Sequence, residues 1–448
     1  MKIAITTLGC KINQYDSAVI QNRLEDRHSF VPFEDAADCY IINSCTVTDR
    51  ADWEARQLVR RAKRSNPTAK VIVTGCYAQV SPVEVARVPQ VDYVVGLNRL
   101  DDLLRFVDTP HVGDEAAIAV SNVKRERGVP VLGTRALPGH TRAFLKIQEG
   151  CNYSCSYCII PAARGLSRSV TPRKVLEQVR ALARAGYREI VLTGIHLGGY
   201  GQDLIPKTDL TSLVEIIAES GLISRLRLSS LDPREVPDQL LDVVAGAEVV
   251  CDHLHICAQA GDDWTLKQMR RNYDTVYYRE LLSKVRQRLP DAAVGSDIIV
   301  GFPGETDERF ESALEYFASL PLTYFHVFPY SERRGTVAVS LPGQIPTAVK
   351  KIRARRMREL GAQKNRDFCA GFLGRLVSVL VEEKTDKTTG FYRGFSRNYL
   401  PVMLSRAAPN QEVAVRLEHM QNGRLFGERI TGPVPAPIPD RVALTPSV

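Results

Sequence analysis

Apolar positions along the first 110 residues fall in short β-rich runs, "KIAITTL", "CYIINS" and "KVIVTG". Stretches of helical periodicity such as "DSAVIQNRLED" and "ADWEARQLVRRAKRS" separate them. This alternation predicts a parallel sheet with helices on its faces. From 113 to 138 the periodicity fades, which predicts a linker that carries an extended edge segment. Between 139 and 365 six strand-like runs follow: "RAFLKIQE", "EIVLTGIH", "RLRLSS", "DHLHICAQ", "VGSDIIVGF" and "TYFHVFPYS". In the helical run "TPRKVLEQVRALARAG", Val175, Leu176, Val179, Leu182 and Ala183 share one face. Thr171 stands at the N-cap, Pro172 in the first turn and Gly186 at the end. Six strand–helix units are too few for a closed eightfold barrel. They predict a partial (β/α)6 barrel with its site at the carboxyl ends of the strands. From 366 to 433, "GRLVSVLVEEK", "GFYRGFSRNYLPVML" and "EVAVRLEHMQNGRLFGERI" alternate with turn residues and predict a small antiparallel β-barrel. The proline-rich tail, 434–448, reads as loose. The fold class is therefore α/β, with an N-terminal parallel-sheet domain (1–112), a central partial barrel and a terminal β unit.

Length and composition agree with a three-domain globular chain: 448 residues at the usual ~150 per domain. No apolar run approaches the ~18 residues a membrane helix needs, and "MKIAITTLGCKINQ" lacks the apolar core of a signal peptide. The expected compartment is the cytosol, where thiols stay reduced. Ten cysteines then point to metal ligation or catalysis rather than disulfides. The net charge of +8 suits a polyanionic partner such as nucleic acid. Lys350–Arg366 holds eight basic residues against one acidic, and Arg56–Arg64 is a second basic run. Solvated helix faces would read the same way. In the terminal unit Phe391, Tyr392, Phe395 and Tyr399 interleave with Arg393 and Arg397, a pattern that can stack bases and neutralise phosphates. A domain this small also needs some of those aromatics for its core.

Two sets of three cysteines carry the candidate chemistry. Cys10, Cys45 and Cys76 each follow directly on one of the first strands, and a glycine precedes Cys10 and Cys76. In open parallel sheets the ligand crevice lies beyond those strand ends, so three thiols there can converge. Buried free cysteine is the alternative reading; Cys39, in mid-strand, is read as core. The second set, Cys151, Cys155 and Cys158 in "EGCNYSCSYCIIPAARG", has the spacing of three ligands on one loop. Such a loop can hold three irons of a four-iron cluster and leave one position open. Zinc would require a fourth ligand close by, and the next histidine downstream is His196.

"GCNYSCSYC" after the first barrel strand resembles the cluster motif of the radical S-adenosylmethionine superfamily. There, the amino and carboxylate groups of S-adenosylmethionine take the open iron. The series "TLGCKINQYDS", "NSCTVTDRAD", "TGCYAQ", "KIQEGCNYSCSYCIIPAARG", "EIVLTGIHLGGYG", "RLSSLDP" and "DIIVGFPGET" resembles the methylthiotransferases over nearly the whole chain. The terminal unit is similar to that family's RNA-binding TRAM domain. The resemblance implies two [4Fe-4S] clusters, a radical-generating one on Cys151, Cys155 and Cys158 and an auxiliary one on Cys10, Cys45 and Cys76. It implies two molecules of S-adenosylmethionine per turnover, one giving a methyl group and one a radical. The branch most resembled places a methylthio group on C2 of N6-threonylcarbamoyladenosine at position 37 of tRNA. The partners implied are the tRNA anticodon stem-loop, an electron donor and a sulfur source.

Related branches act on isopentenyladenosine in tRNA or on an aspartate of a ribosomal protein. An RNA-binding iron–sulfur sensor without turnover is the alternative of another class. By the same resemblance Tyr157 packs near the adenine of S-adenosylmethionine, and Thr193 and Gly194 lie where its amino group is held. Gly301 lets the fifth strand approach the cosubstrate, and "GFPGET" lacks the ending of a phosphate loop. "HLHICAQAG" keeps Gln259 but departs from the family's Pro-Leu at Cys257 and Ala258, and from its Ser at Ala260. Arg164 and Arg168 are candidates for tRNA phosphates or the substrate carboxylate, as are Arg393 and Arg397 for RNA. His253 and His255 read as packing residues, and Cys251, Cys257 and Cys369 as structural.

Overall fold

A computed structural model describes residues 1–129, 133 and 136–430, so the tail expected to be loose lies outside the described residues. The first sheet is wholly parallel, in the order β2-β1-β3-β4-β5-β6. Its strands are β1 (Lys2–Thr7), β2 (Ser29–Phe30), β3 (Cys39–Ser44), β4 (Lys70–Gly75), β5 (Tyr93–Val95) and β6 (Ala117–Ala119). β6 is the edge segment foreseen in the connector. β3 is buried at every residue because helices cover both faces of the sheet. Ile20 and Leu24 of the helix Lys11–Leu24, with Leu103 and Val107, pack on Ile3, Ile41 and Ile72. Ala55, Val59 and Ala62 of the helix Asp49–Ser65 pack on Tyr40, Ile42 and Val71 from the other side.

The central unit is a split, partial barrel. β7 (Arg142–Glu149), β9 (Glu189–Gly194) and β10 (Arg225–Leu228) are parallel, and the short β8 (Arg168–Ser169) joins β7 antiparallel. β11 (Ser230–Leu231), β12 (His253–Ile256), β13 (Ala293–Val300) and β14 (Tyr324–Pro329) form the second parallel set. A single bridge, Leu226 to Val250, spans the two. The helix Pro172–Arg184 starts and stops where its cap residues predict, and buries Val175, Val179 and Leu182. This arrangement matches the predicted six-stranded partial barrel.

The terminal barrel closes in the order β15-β16-β17-β19-β18, from β15 (Leu376–Thr385), β16 (Tyr392–Ser396), β17 (Pro401–Leu404), β18 (Glu412–Gln421) and β19 (Arg424–Arg429). Two expectations change. The β17–β19 pair is parallel, because closing five strands on themselves forces one like-directed pair. The boundary expected at 365 falls inside a continuous helix, Thr347–Ala370, whose Cys369 enters the barrel core.

The aromatic and arginine residues expected to face RNA are largely spent on docking this barrel. Phe395 and Tyr399 stack on each other at 4.8 Å, with Arg142 4.5 Å over Phe395 and Arg227 4.9 Å over Tyr399. Tyr392 packs against the barrel core, and Phe391 meets Phe426 edge-on. Arg397 donates to the carbonyls of Ser224, Glu248 and Val250, so three acceptors on the central barrel engage it rather than leaving it free for substrate as expected. Arg393 stays half-exposed and paired with Glu382 at 2.8 Å. Beneath the junction the fully buried Glu189 pairs with Arg225 at 3.0 Å and Arg227 at 2.7 Å.

The Lys350–Arg366 run is likewise partly internal. Arg353 binds Glu305 at 2.7 Å, and Lys364 donates to the carbonyls of Ala318 and Leu320; Lys351, Arg355 and Arg366 remain outside. On the helix Asp49–Ser65, Lys63 pairs with Asp92, while Arg60 and Arg64 face solvent.

Candidate metal centres

β1, β3 and β4 lie side by side, and the residue run at each carboxyl end delivers one thiol. Gly9, at φ +95°, lies so close to Cys45 that a Cβ added there would sit 2.9 Å from its Sγ. Gly75 adopts φ +93°, and a Cβ there would lie 2.3 Å from the Ser44 carbonyl. Only glycine brings the Cys10 and Cys76 turns against the Cys45 strand end. Asn13, one turn into the helix that Cys10 caps, ties the three ends together. Its amide donates to Leu8 O (2.8 Å) and Ser44 O (3.1 Å), and its Oδ1 faces Cys76 Sγ at 3.9 Å. Arg333, from the loop after β14, donates to Thr46 at 2.6 Å and to Asp52 at 2.5 Å, and it pairs with Asp49. The turn that holds Cys45 is thereby pinned to the barrel. A Gly75→Ala variant is expected to lose about 1–3 kcal/mol to backbone strain and to displace Cys76. Melting temperature and iron bound per chain measure both effects.

The second trio lies on the loop that follows β7. Its backbone is held by Cys151 N to Gly165 O (3.0 Å), Ser156 N to Met269 O (3.1 Å) and Ala338 N to Ser156 O (2.8 Å). Arg271 donates to Cys155 Sγ at 3.2 Å and is itself fixed by an ion pair to Asp232. Tyr153 reaches Glu235 at 2.9 Å. Behind the loop Tyr157 packs against the apolar group of Ala260, Leu266, Met269, Phe302 and Tyr330.

The short helix Ile160–Arg164, which starts two residues after Cys158, runs from the second trio's loop to the first trio. Arg164 at its end is 1 % exposed. Its Nε donates to Cys76 Sγ at 3.4 Å, and its other nitrogens reach Glu149 (2.6 Å), Asn13 (2.5 Å) and Asp16 (3.2 Å). Lys146 completes the group, at 2.6 Å from Asp16 and 2.8 Å from Glu149. Arg164 therefore does not meet tRNA phosphates. It is consumed by two carboxylates and a thiol inside the interface. Arg168 is buried too, donating to the carbonyls of Leu166, Gly128 and Arg164, which removes it from the RNA-facing set as well.

Both trios offer only sulfur, three atoms each, which suits iron–sulfur clusters with one open corner. A single ion would draw its donors closer. Among the described residues the one group whose donors all lie within 4.8 Å contains none of these six cysteines. The thiols nevertheless act on one another electrostatically, Cys76 with Cys45 and Cys10, and Cys158 with Cys155 and Cys151. Burial pushes Cys76 and Cys158 up to about 12 and Cys151 up to about 11. Metal-free, they stay protonated at neutral pH, and loading must release those protons.

Residues 2–96 match the family model described as "Uncharacterized protein family UPF0004", and residues 145–317 match the Radical SAM superfamily. Over 429 residues the chain is 38% identical to "Threonylcarbamoyladenosine tRNA methylthiotransferase MtaB" of Bacillus subtilis, covering 95% of each chain. The protein of the same name from Aquifex aeolicus is 39% identical, over 89% of this chain and 97% of that one. The chain belongs to the methylthiotransferase family. The "tRNA-2-methylthio-N(6)-dimethylallyladenosine synthase" of Carboxydothermus hydrogenoformans is 34% identical over 86% of this chain and 89% of that one. Among solved structures, the radical S-adenosylmethionine methyltransferase TsrM of Kitasatospora setae superposes with a TM-score of 0.53 at 16% identity. It covers 75% of this chain and 77% of that one, a likeness of fold.

Within this methylthiotransferase the remaining predicted residues lie at or just past the carboxyl ends of barrel strands. Thr193 is buried at the end of β9. A Cβ on Gly194 would meet Gln148 Oε1 at 3.0 Å, so the glycine leaves room for the Gln148 amide, which donates to Gly150 O at 2.8 Å. Gln259 holds φ +64°, its N–H bonded to Asp297 O at 2.9 Å. Over Gly301, at φ +73°, lies Lys350: its Cγ is 2.5 Å from where a Cβ would stand. The protein's own lysine, rather than open space, meets that glycine. His253 and His255 depart from the packing role read from sequence, because both bond to Tyr324, at 2.8 and 3.1 Å. Sequence reasoning passed over Asn13, Glu149, Asp232, Arg271 and Arg333. Asn13, three residues after Cys10, and the paired arginines of "MRRNY" were the available signals. No helix among the described residues is long and apolar enough to cross a membrane.

Proposed function

We propose that the protein is a tRNA methylthiotransferase that adds a methylthio group to C2 of N6-threonylcarbamoyladenosine at position 37 of the anticodon stem-loop. Cys151, Cys155 and Cys158 hold the cluster that binds S-adenosylmethionine, and Cys10, Cys45 and Cys76 hold the auxiliary one. The observation that carries this reading is the joining of two all-thiol trios through Arg164, in a chain that matches relatives of that name along 95% of its length. When bound, clusters and S-adenosylmethionine supply the radical, methyl and sulfur chemistry that no side chain here can supply.

The chain's own residues set the stage for it. Arg271, aimed by Asp232, donates to the Cys155 sulfur and fixes its place on the loop. Arg164 donates likewise to Cys76. Tyr157 and the apolar group behind it keep water from the back of the loop. The exposed Arg60, Arg64, Lys351, Arg355 and Arg393 supply positive charge for the tRNA backbone. An electron donor and a sulfur source complete the reaction. The similarity to dimethylallyladenosine synthases supports a second reading, with that base as acceptor.

Nucleoside mass spectrometry of tRNA from a deletion strain decides between them. Loss of the methylthio form of threonylcarbamoyladenosine alone is expected. Loss of only the methylthio dimethylallyl form would move the assignment, and unchanged tRNA would overturn it.

A further inference from the structure

Outside both thiol trios, the barrel lumen contains one more group of convergent donors. His255 lies on β12, Cys257 just past its end, Asp297 in the middle of β13 and His326 on β14. The strand register sets Asp297 directly beside His326. His255, Cys257 and Asp297 bring one donor atom each within 4.8 Å of the others. His255 Nε2 lies 2.9 Å from Asp297 Oδ1, Cys257 Sγ 3.5 Å from Oδ2, and His326 Nδ1 3.1 Å from Oδ1. Metal–ligand bonds of ~2.0–2.3 Å imply tetrahedron edges of about 3.3–3.8 Å, so small shifts bring His255, Cys257 and Asp297 onto one ion; His326, beside Asp297 but outside that group, reaches the same ion only by turning its exposed ring inward.

The surroundings are those of a ligand set. The other ring nitrogen of His255 meets Tyr324 OH at 3.1 Å, and that hydroxyl also meets His253 Nε2 at 2.8 Å. An outer partner of this kind fixes which nitrogen faces a metal. Tyr324 reaches that position because residue 295 is glycine: a Cβ there would lie 2.1 Å from the ring. Cys257 is held by the turn at Gln259, whose N–H and C=O are both bonded across to β13, at 2.9 and 2.8 Å. His255 and Cys257 are buried, whereas the side chains of Asp297 and His326 are 26% and 56% exposed, which leaves a way in. Among the described residues, the ion-pair partners of Asp297 are these two histidines, with no lysine or arginine beside it.

We propose that His255, Cys257, Asp297 and His326 form a binding site for one divalent transition-metal ion, zinc or ferrous iron. Two imidazoles, one thiolate and one carboxylate make a borderline donor set suited to those ions and poor for magnesium or calcium. The site does not depend on the tRNA reading above, because it uses none of the six cluster cysteines.

Zinc is the probe. Full-length protein carrying its clusters is equilibrated anaerobically with zinc chloride and desalted. Its zinc is counted by mass spectrometry and its shell read by zinc K-edge absorption. One zinc per chain, with a single sulfur and three nitrogen or oxygen neighbours, is expected. Cys257→Ser should remove the sulfur from that shell, and Tyr324→Phe should weaken binding about ten- to a hundredfold. A shell of sulfur alone would place the zinc in a vacated thiol trio and overturn the proposal. So would the absence of zinc, or an unchanged shell in Cys257→Ser. The wild-type spectrum decides even if a variant fails to fold.

Discussion

A Cys45→Ala protein is expected to go on cleaving S-adenosylmethionine while transferring no methylthio group to tRNA; a Cys155→Ala protein is expected to do neither. The asymmetry follows from where the two thiols sit. Cys155 belongs to the loop after β7, and Arg271 and Asp232 position its sulfur from the barrel side alone. Nothing in that arrangement involves the first sheet. Cys45 is delivered by β3 and held against the barrel through Arg333, on Thr46 and Asp52. Its loss strips one of three sulfur donors from the first trio and leaves the second untouched. 5′-Deoxyadenosine by chromatography and methylthiolated nucleoside by mass spectrometry, from the same anaerobic reaction, separate the two steps. Iron per chain should fall by about half in either variant, since each trio holds one cluster. Full methylthiolation by Cys45→Ala would remove the first trio from the chemistry. Loss of cleavage in that variant, with the second trio's iron intact, would mean the trios do not act separately.

The parts of this arrangement that were legible in sequence are those fixed by short-range pattern. "CYIINS" and "KVIVTG" are rich in apolar residues without polar alternation because helices cover both faces of their sheet, and each is followed directly by its thiol. The loop trio needed only spacing. What sequence did not reveal are partners far apart along the chain. Arg164 sits six residues after the last cluster cysteine, among exposed-looking neighbours, and its type alone suits a phosphate equally well. Its burial depends on Asn13 and Asp16, about 150 residues earlier. The aromatics around Phe395 have the composition of an RNA platform, yet Arg142 and Arg227 from the barrel cover two of them. Cys257 and His255 looked structural because Asp297 and His326, which give them meaning, come from two later strands.

Replacing Arg164 with methionine is expected to cost about 3–5 kcal/mol of stability, the penalty for leaving buried partners without their counter-charge. Four side chains lose a donor at once: Glu149, Asp16, Asn13 and Cys76. Lys146 remains against both carboxylates, so the charge is halved rather than removed, which argues for the lower part of that range. Arg164→Lys should recover only part of the loss, because an ammonium cannot span the four acceptors that the planar fork reaches. The pH dependence identifies the source. Burial alone would raise the Glu149 carboxyl, but Arg164 and Lys146 outweigh it and hold it down to about 2. A depressed carboxylate stabilises the fold fully above its unfolded value of ~4.3, and that contribution disappears as pH falls through the folded value. The gap in urea midpoint between wild type and Arg164→Met, measured on metal-free protein, should therefore be widest near neutrality and narrow from about pH 4 downward. A gap that stayed constant through that range would point to lost packing around the methionine. In that case the charge-locked joint between the two thiol trios would not be what holds them together.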